Sequence, residues 1–280
     1  MLTVSELKSL LKTHDLRLTK RLGQHHLVDA RIVERIITQC ALSPEETVVE
    51  IGAGLGALTE PLAQRAGRVI AVEIDRAIAG LLAARMASVK NVTVIREDIL
   101  NYSWNAPGVT VVGAIPYHIT SPILVSLCEG RRTIRRAVLI VQEEVAQRLV
   151  ATPGTKAYSR LSILGQYCWD IRSVMSVPRS AFFPQPDVDS CCIELRARVR
   201  PPVTVENEPL FFEVVKAAFS HRRKTLVNCL KGQAFQGMPV VDGAAVVRGL
   251  GLRLDIRGES LSLDQFAALA HHLSRGNSLR

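Results

Sequence analysis

Residues Ala114-Ile115-Pro116-Tyr117 put a donor-poor backbone and an aromatic ring directly after the β-branched run Val109–Val112 and Gly113. Pro116 has no N–H, so this turn presents carbonyl oxygens. Carbonyls facing outward suit a ligand that brings its own N–H donors, such as the exocyclic amino group of adenine, while Tyr117 can stack on the ring. In open α/β sheets the carboxyl edge of the strands is where ligands bind. Taken alone, the tetrapeptide is equally readable as a plain β-to-α turn with a core tyrosine.

A second constellation lies upstream. Val48-Val49-Glu50-Ile51-Gly52-Ala53-Gly54-Leu55-Gly56 is an apolar strand running into three alternating glycines. Glycine lets the backbone turn sharply and approach a ligand with no Cβ in the way. Val72-Glu73-Ile74-Asp75 closes the next strand, and an acid there can accept from both ribose hydroxyls of an adenosine. Glu97-Asp98-Ile99 ends a third strand, where Asp98 can accept from an adenine amino group. Gly52, Gly54 and Ala57 also satisfy the dinucleotide pattern G-x-G-x-x-A, so NAD competes. Asp98 and the Ile-Pro-Tyr turn favour S-adenosyl-L-methionine, because a pyrophosphate ligand requires neither.

The elements that must position these residues alternate. Thr47–Ile51, Arg68–Ile74, Val92–Arg96, Val109–Val112 and Ala137–Val141 are short Val/Ile-rich runs suited to parallel strands buried on both faces. Gly56–Arg65, Arg76–Ala87, Ser121–Cys128 and Glu143–Leu149 read as the helices between them. The alternation predicts an α/β fold with a doubly wound sheet. Ile171–Val177 and Ser190–Leu195 would close it as an antiparallel hairpin, and helices near Val4–Leu11 and Ala30–Cys40 precede it. The pattern changes at Arg200-Pro201-Pro202. Beyond it, Pro209–Lys231 reads as one amphipathic helix, followed by helical stretches at Gly243–Gly249 and Leu263–Leu273. The expected division is an α/β domain with an N-terminal helical extension over residues 1–200 and a small all-helical domain over 201–280.

Composition narrows the class. With 280 residues, 48% hydrophobic and 22% charged, the chain reads as globular. No apolar run approaches the eighteen or so residues of a membrane span, and no secretory signal opens the sequence. A net charge of +9 suggests a polyanionic partner. Six cysteines without a C-x-x-C pair read as reduced packing thiols of a cytoplasmic protein, with no metal site.

Together these residues resemble the adenine dimethyltransferases that act on ribosomal RNA, the family of bacterial small-subunit rRNA dimethyladenosine transferase A. Lys20-Arg21-Leu22-Gly23-Gln24-His25-His26-Leu27 resembles the family's basic G-Q-N-F-L opening. Ser180–Ser190, reading SAFFPQPDVDS, resembles its highly specific F-x-P-x-P-x-V-D-S motif. Phe219–Leu226, reading FSHRRKTL, resembles the basic helix that opens its C-terminal domain. Two positions of the opening differ, with His25 for asparagine and His26 for phenylalanine. A third departure is Ala114, where the family carries an asparagine whose side-chain oxygen accepts from the target N6.

The resemblance implies a Rossmann-like S-adenosyl-L-methionine-dependent methyltransferase sheet. It assigns the donor to His25, Leu27, Gly52, Gly54, Glu73, Ile74, Asp98, Ile99 and Ala114. It assigns the target adenine to Ala114, Ile115, Pro116 and Tyr117, with Phe182 as the second stacking ring, and RNA phosphates to Lys20, Arg21, Arg222, Arg223 and Lys224. The implied reaction is N6,N6-dimethylation of two adjacent adenosines in the 3′-terminal hairpin of small-subunit rRNA, by a monomer on an immature 30S subunit. Two other readings remain at this point: a large-subunit rRNA dimethylase, and an assembly factor that binds donor and RNA but is catalytically weakened by Ala114.

Overall fold

In the computed structural model, which describes residues 2–16, 23, 25–237 and 240–276, helix α1 (Val4–Thr13) begins at a capping box. Thr3 and Glu6 satisfy each other's backbone N–H groups there. A two-residue strand, β1 (His26–Leu27), leads to α2 (Ala30–Cys40), capped by Asp29. The alternating segment follows: β2 (Thr47–Ile51), α3 (Thr59–Ala63), β3 (Arg68–Glu73), α4 (Arg76–Met86), β4 (Val92–Arg96), β5 (Val109–Ala114), α5 (Thr120–Glu129), β6 (Ile134–Gln142) and α6 (Glu143–Leu149). Next come α7 (Arg160–Cys168), β7 (Trp169–Val177), β8 (Phe182–Phe183) and β9 (Ser190–Ala197). Four helices end the chain: α8 (Glu208–Ala218), α9 (Leu226–Leu230), α10 (Gly243–Gly249) and α11 (Leu263–Gly276).

Seven strands form one sheet in the order β4-β3-β2-β5-β6-β9-β7. The first five are parallel, and β9 inserts antiparallel between β6 and β7. Val48, Val69, Val111, Val138 and Leu139 are fully enclosed, as strands covered on both faces require. Burying each such side chain contributes about 1.5–3 kcal/mol. The chain winds outward through β3 and β4 on one side of β2 and through β5 and β6 on the other. The carboxyl ends of β2 and β5 therefore flank a topological switch point, the place where open sheets bind ligands.

The chain divides into two compact units, Met1–Ala146 with Trp169–Ala197, and Gln147–Cys168 with Arg198–Arg280. The sequence suggested a single cut at residue 200; instead residues 147–168, with the unforeseen α7, belong to the second unit. Tyr158 shows why: its hydroxyl donates to the Leu261 carbonyl at 2.9 Å and its ring packs on Phe219. The single helix expected over Pro209–Lys231 is two helices. Lys224 N–H turns back to the His221 carbonyl, and Thr225 caps α9 by accepting from the Asn228 N–H. The helical periodicity survives the break because Val214, Val215, Leu226 and Leu230 are all buried.

Candidate active site

Backbone geometry builds one wall of a cleft at the switch point. Gly52, Gly54 and Gly56 all have positive φ, at 65°, 57° and 91°, a region costly for residues with a Cβ. The N–H groups of Gly52 and Ala53 both donate to the Val72 carbonyl, which pins the turn after β2 against β3. A Cβ on Gly54 would stand 2.9 Å from His26 Nδ1, so this glycine is also required by close approach.

Glu73 is the wall's anchor. Its Oε2 accepts from the Gly54 N–H at 2.9 Å and its Oε1 from the Asp75 N–H at 3.0 Å. Burial pushes its pKa upward, and the two backbone N–H groups act against that shift. Each oxygen keeps a lone pair for another donor. Asp75 serves locally, capping α4 through the Ala77 and Ile78 N–H groups. Asp98 likewise fixes its turn by accepting from Leu100 N–H at 3.0 Å, and it lines the cleft. Behind the wall, Glu50 is almost fully enclosed and accepts from the Thr59 hydroxyl at 2.6 Å. Burial and, secondarily, the neighbouring Glu73 charge raise its pKa to about 8, so it is mostly protonated at neutral pH.

The facing wall comes from the end of β5, the turn that follows it and the residues that open β1. Ala114 and Pro116 line the cleft, and Ile115 N–H is tied to the Ile140 carbonyl. Tyr117 is half-buried, with its hydroxyl 2.7 Å from Ser190 Oγ, and burial raises its pKa. Its ring stacks on His25, with centroids 5.7 Å apart and planes 27° from parallel. His25 Nδ1 lies 2.7 Å from the Pro184 carbonyl. A carbonyl can only accept, so Nδ1 carries the proton.

The cleft, about 690 Å³ including its open mouth, gathers His25, Gly52, Gly54, Glu73, Ile74, Asp98, Ile99, Ala114 and Pro116 as the sequence suggested. Other expected residues lie elsewhere. Leu27 is buried in the main core and lines a neighbouring hollow instead. Phe182 lies outside the cleft lining: it is 5% exposed and packed in the same core. The β1–β8 ladder explains this, because pairing Leu27 with Phe182 puts both on the core-facing side and turns Phe183 the other way. Phe183 instead packs with Leu7 and Leu11 of α1, and Lys8 sits over its ring.

Of the phosphate candidates, Lys20 and Arg21 fall outside the described residues. Arg222 is engaged: it donates to Glu259 at 2.9 Å and to the Lys156 carbonyl. Arg223 and Lys224 are exposed on the turn between α8 and α9.

Sequence reasoning missed Gly23, His26, Ile78 and Ile119 as lining residues and Glu50 as a buried acid. His26 is informative because its Nε2 is buried without a partner among the described residues. Burial lowers its pKa to about 4, keeping it neutral. An orphaned buried nitrogen beside the glycine turn fits a cleft that receives a polar ligand, since such an atom is costly unless satisfied. Free lone pairs on Glu73 and Asp98 fit the hydroxyl and amino donors of an adenosine. All six cysteines are buried free thiols, and no metal-ligand cluster exists among the described residues.

The family model described as ribosomal RNA adenine dimethylase matches residues 16–250. The chain belongs to the ribosomal RNA adenine dimethylase family. This dimethylase is 40% identical to proteins named ribosomal RNA small subunit methyltransferase A from Bacillus mycoides and Bacillus cereus, over 97% of its own length and 96% of theirs. It is also similar to a solved dimethyladenosine transferase from Plasmodium falciparum, with TM-score 0.76, 26% identity, and 90% and 98% of the two chains covered. A solved 23S rRNA methyltransferase, ErmE, follows with TM-score 0.66, 28% identity and coverage of 89% and 99%. The seven-stranded sheet of the dimethylase is thus a Rossmann-like methyltransferase sheet.

Proposed function

We propose that this dimethylase transfers methyl groups from S-adenosyl-L-methionine to N6 of two adjacent adenosines in the 3′-terminal hairpin of small-subunit rRNA. It acts as a monomer, in the cytoplasm, on immature 30S particles. The observation that carries this reading is the meeting, in one cleft, of Glu73 and Asp98 with Ala114 and Pro116 at the end of β5. The names of the 40%-identical relatives support the small subunit over the large one.

When bound, S-adenosyl-L-methionine supplies an electrophilic methyl group. Glu73 accepts from the ribose hydroxyls, and Asp98 accepts from the adenine amino group of the cofactor. The glycine turn admits the cofactor against bare backbone, and His26 Nε2 gains a polar partner. The lone pair of the target N6 is delocalised into its ring, which makes it a poor nucleophile. Accepting a hydrogen bond from it at the Ile115 carbonyl favours the localised, tetrahedral nitrogen, so catalysis is positioning plus electrostatics with no general base, and the proton that N6 loses on each methylation passes to solvent. The target base leaves its stack to reach Tyr117. Arg223 and Lys224 meet the RNA backbone, in keeping with recognition through shape and phosphates.

Ala114 favours a second reading, an assembly factor that binds without efficient methylation, because alanine cannot accept from N6. Incubating the chain with methyl-labelled S-adenosyl-L-methionine and 30S or 50S particles lacking these modifications separates the cases. Paired dimethyladenosines in the 3′-terminal hairpin are expected. Label in large-subunit RNA alone, or tight 30S binding without label, would overturn the proposal in favour of the corresponding alternative.

A further inference from the structure

We propose that Arg222 and Glu259 form a clamp that holds Lys156, a residue outside every motif, against the RNA backbone beside Arg223 and Lys224. The inference rests on the reading above that this basic turn meets rRNA.

All of these residues belong to the second unit. Lys156 lies in the exposed stretch 152–156 ahead of α7, and its ammonium has no acidic partner among the described residues. Alone, an exposed lysine is a solvated side chain. Its backbone, however, is held on both sides. Gly154 N–H donates to the Glu259 carbonyl at 2.8 Å, and Tyr158 N–H donates to the Thr155 carbonyl at 3.2 Å. The Tyr158 hydroxyl is itself fixed on the Leu261 carbonyl. Arg222 closes the clamp, with one arm on the Glu259 carboxylate at 2.9 Å and the other on the Lys156 carbonyl. One guanidinium thus ties this stretch to the turn that carries Arg223 and Lys224. The tie has two consequences for an RNA ligand. It orders the Lys156 backbone in advance, so that binding need not do so. It also sets a cation on the Glu259 carboxylate, whose charge would otherwise oppose a phosphate. The clamp leaves Lys156, Arg223 and Lys224 exposed, and a lysine meets a phosphate as a compact point charge.

The experiment measures binding of the full-length chain to unmodified 30S particles across a salt series, for wild type, Lys156→Ala, Lys156→Arg, Arg222→Ala and Arg223→Ala. Lys156→Ala should flatten the slope of log affinity against log salt by about 0.7–0.9, one phosphate, as Arg223→Ala should. Lys156→Arg should keep the wild-type slope. Arg222→Ala should flatten it by less than about 0.5. It should nonetheless weaken binding by about 5- to 30-fold at every salt concentration, the entropy of fixing one residue of backbone.

Amide hydrogen exchange in the free protein separates the clamp from the contact it serves. Arg222→Ala should speed exchange at Gly154 and Tyr158, whereas Lys156→Ala should leave it unchanged. The proposal fails if Lys156→Ala binds with wild-type slope and affinity while Arg223→Ala flattens the slope. It also fails if Arg222→Ala flattens the slope as much as Arg223→Ala, for the guanidinium would then be a phosphate contact. If neither Lys156→Ala nor Arg223→Ala changes the slope, the RNA reading of this turn is wrong and the clamp falls with it.

Discussion

On the side of the cleft proposed to hold the cofactor, Glu73 is held by N–H groups two and nineteen residues away. On the opposite side, proposed to meet the target base, Tyr117 and the His25 ring stacked on it are held by partners 73 and 159 residues away. The first side is a product of strand ends and glycine turns, nearly complete once β2, β3 and β4 are in register. The second depends on the segment between β8 and β9 returning to the sheet. This contrast has a functional counterpart. Glu73 and Asp98, the acids expected to meet the cofactor, both line the cleft, while among the residues expected to meet the target base Ala114 departs from the family pattern and Phe182 lies in the core.

The cofactor side achieves its rigidity by burying acids, and Glu50 should show that most strongly. Its folded pKa of about 8 stands above the ordinary 4.5. Between these pH values the unfolded chain releases the proton while the folded one keeps it. Stability is therefore lost as pH rises from 4.5 to 8 and is constant beyond. The ceiling is about 5 kcal/mol, at about 1.4 kcal/mol per pH unit. Glu50→Gln, which can still accept from Thr59, should match wild type near pH 4.5 in denaturant melts and exceed it increasingly towards pH 8. Parallel curves for the two proteins would mean that Glu50 is ionised in the fold.

The target side should respond in rate rather than stability. Ala114→Asn restores a second acceptor for N6, and one preorganised polar contact is typically worth 10²–10³ in kcat, about 2.7–4 kcal/mol. Single-turnover methyl transfer at saturating S-adenosyl-L-methionine should rise by up to that factor. Donor affinity should change far less. Equal rates for the two proteins would show that Ala114 is already compensated, and the asymmetry between the two sides would lose its catalytic meaning.

Removing Glu73 tests the cofactor side directly. Glu73→Ala leaves two ribose hydroxyls without their acceptor and also frees the Gly54 and Asp75 N–H groups. Calorimetry should find S-adenosyl-L-methionine affinity weaker by about 1.5–3 kcal/mol, the range for hydrogen bonds to a charged group. Unchanged affinity in a folded variant would move the cofactor elsewhere.

The same contrast explains what the sequence disclosed. The five parallel strands were readable because local apolar runs and the glycine turn specify them within a few residues. Glu73 and Asp98 were readable because a strand end fixes their place. The burial of Phe182 was not legible because its facing depends on a two-residue ladder with Leu27, some 155 positions earlier, that no local pattern announces. The α8–α9 break was hidden because both helices bury apolar residues in compatible phase. Helix α7 was hidden because its residues are mostly buried, so no polar face marks the helical period.

The smallest expected effect separates neighbours within the basic turn of the second unit. Arg223 and Lys224 are exposed, whereas the Arg222 guanidinium already serves Glu259 and the Lys156 carbonyl. Each phosphate neutralised adds about 0.7–0.9 to the slope of log affinity against log salt. Replacing Arg223 and Lys224 by alanine should therefore flatten the slope for 30S binding by about 1.4–1.8. Arg222→Ala should flatten it by less than about 0.5, because a phosphate would have to compete with Glu259. It should instead cost up to about 1 kcal/mol of stability, as expected for an exposed pair. Equal flattening by Arg222→Ala would mean that RNA draws this arginine from Glu259, making all three side chains of the turn phosphate contacts as the sequence first suggested.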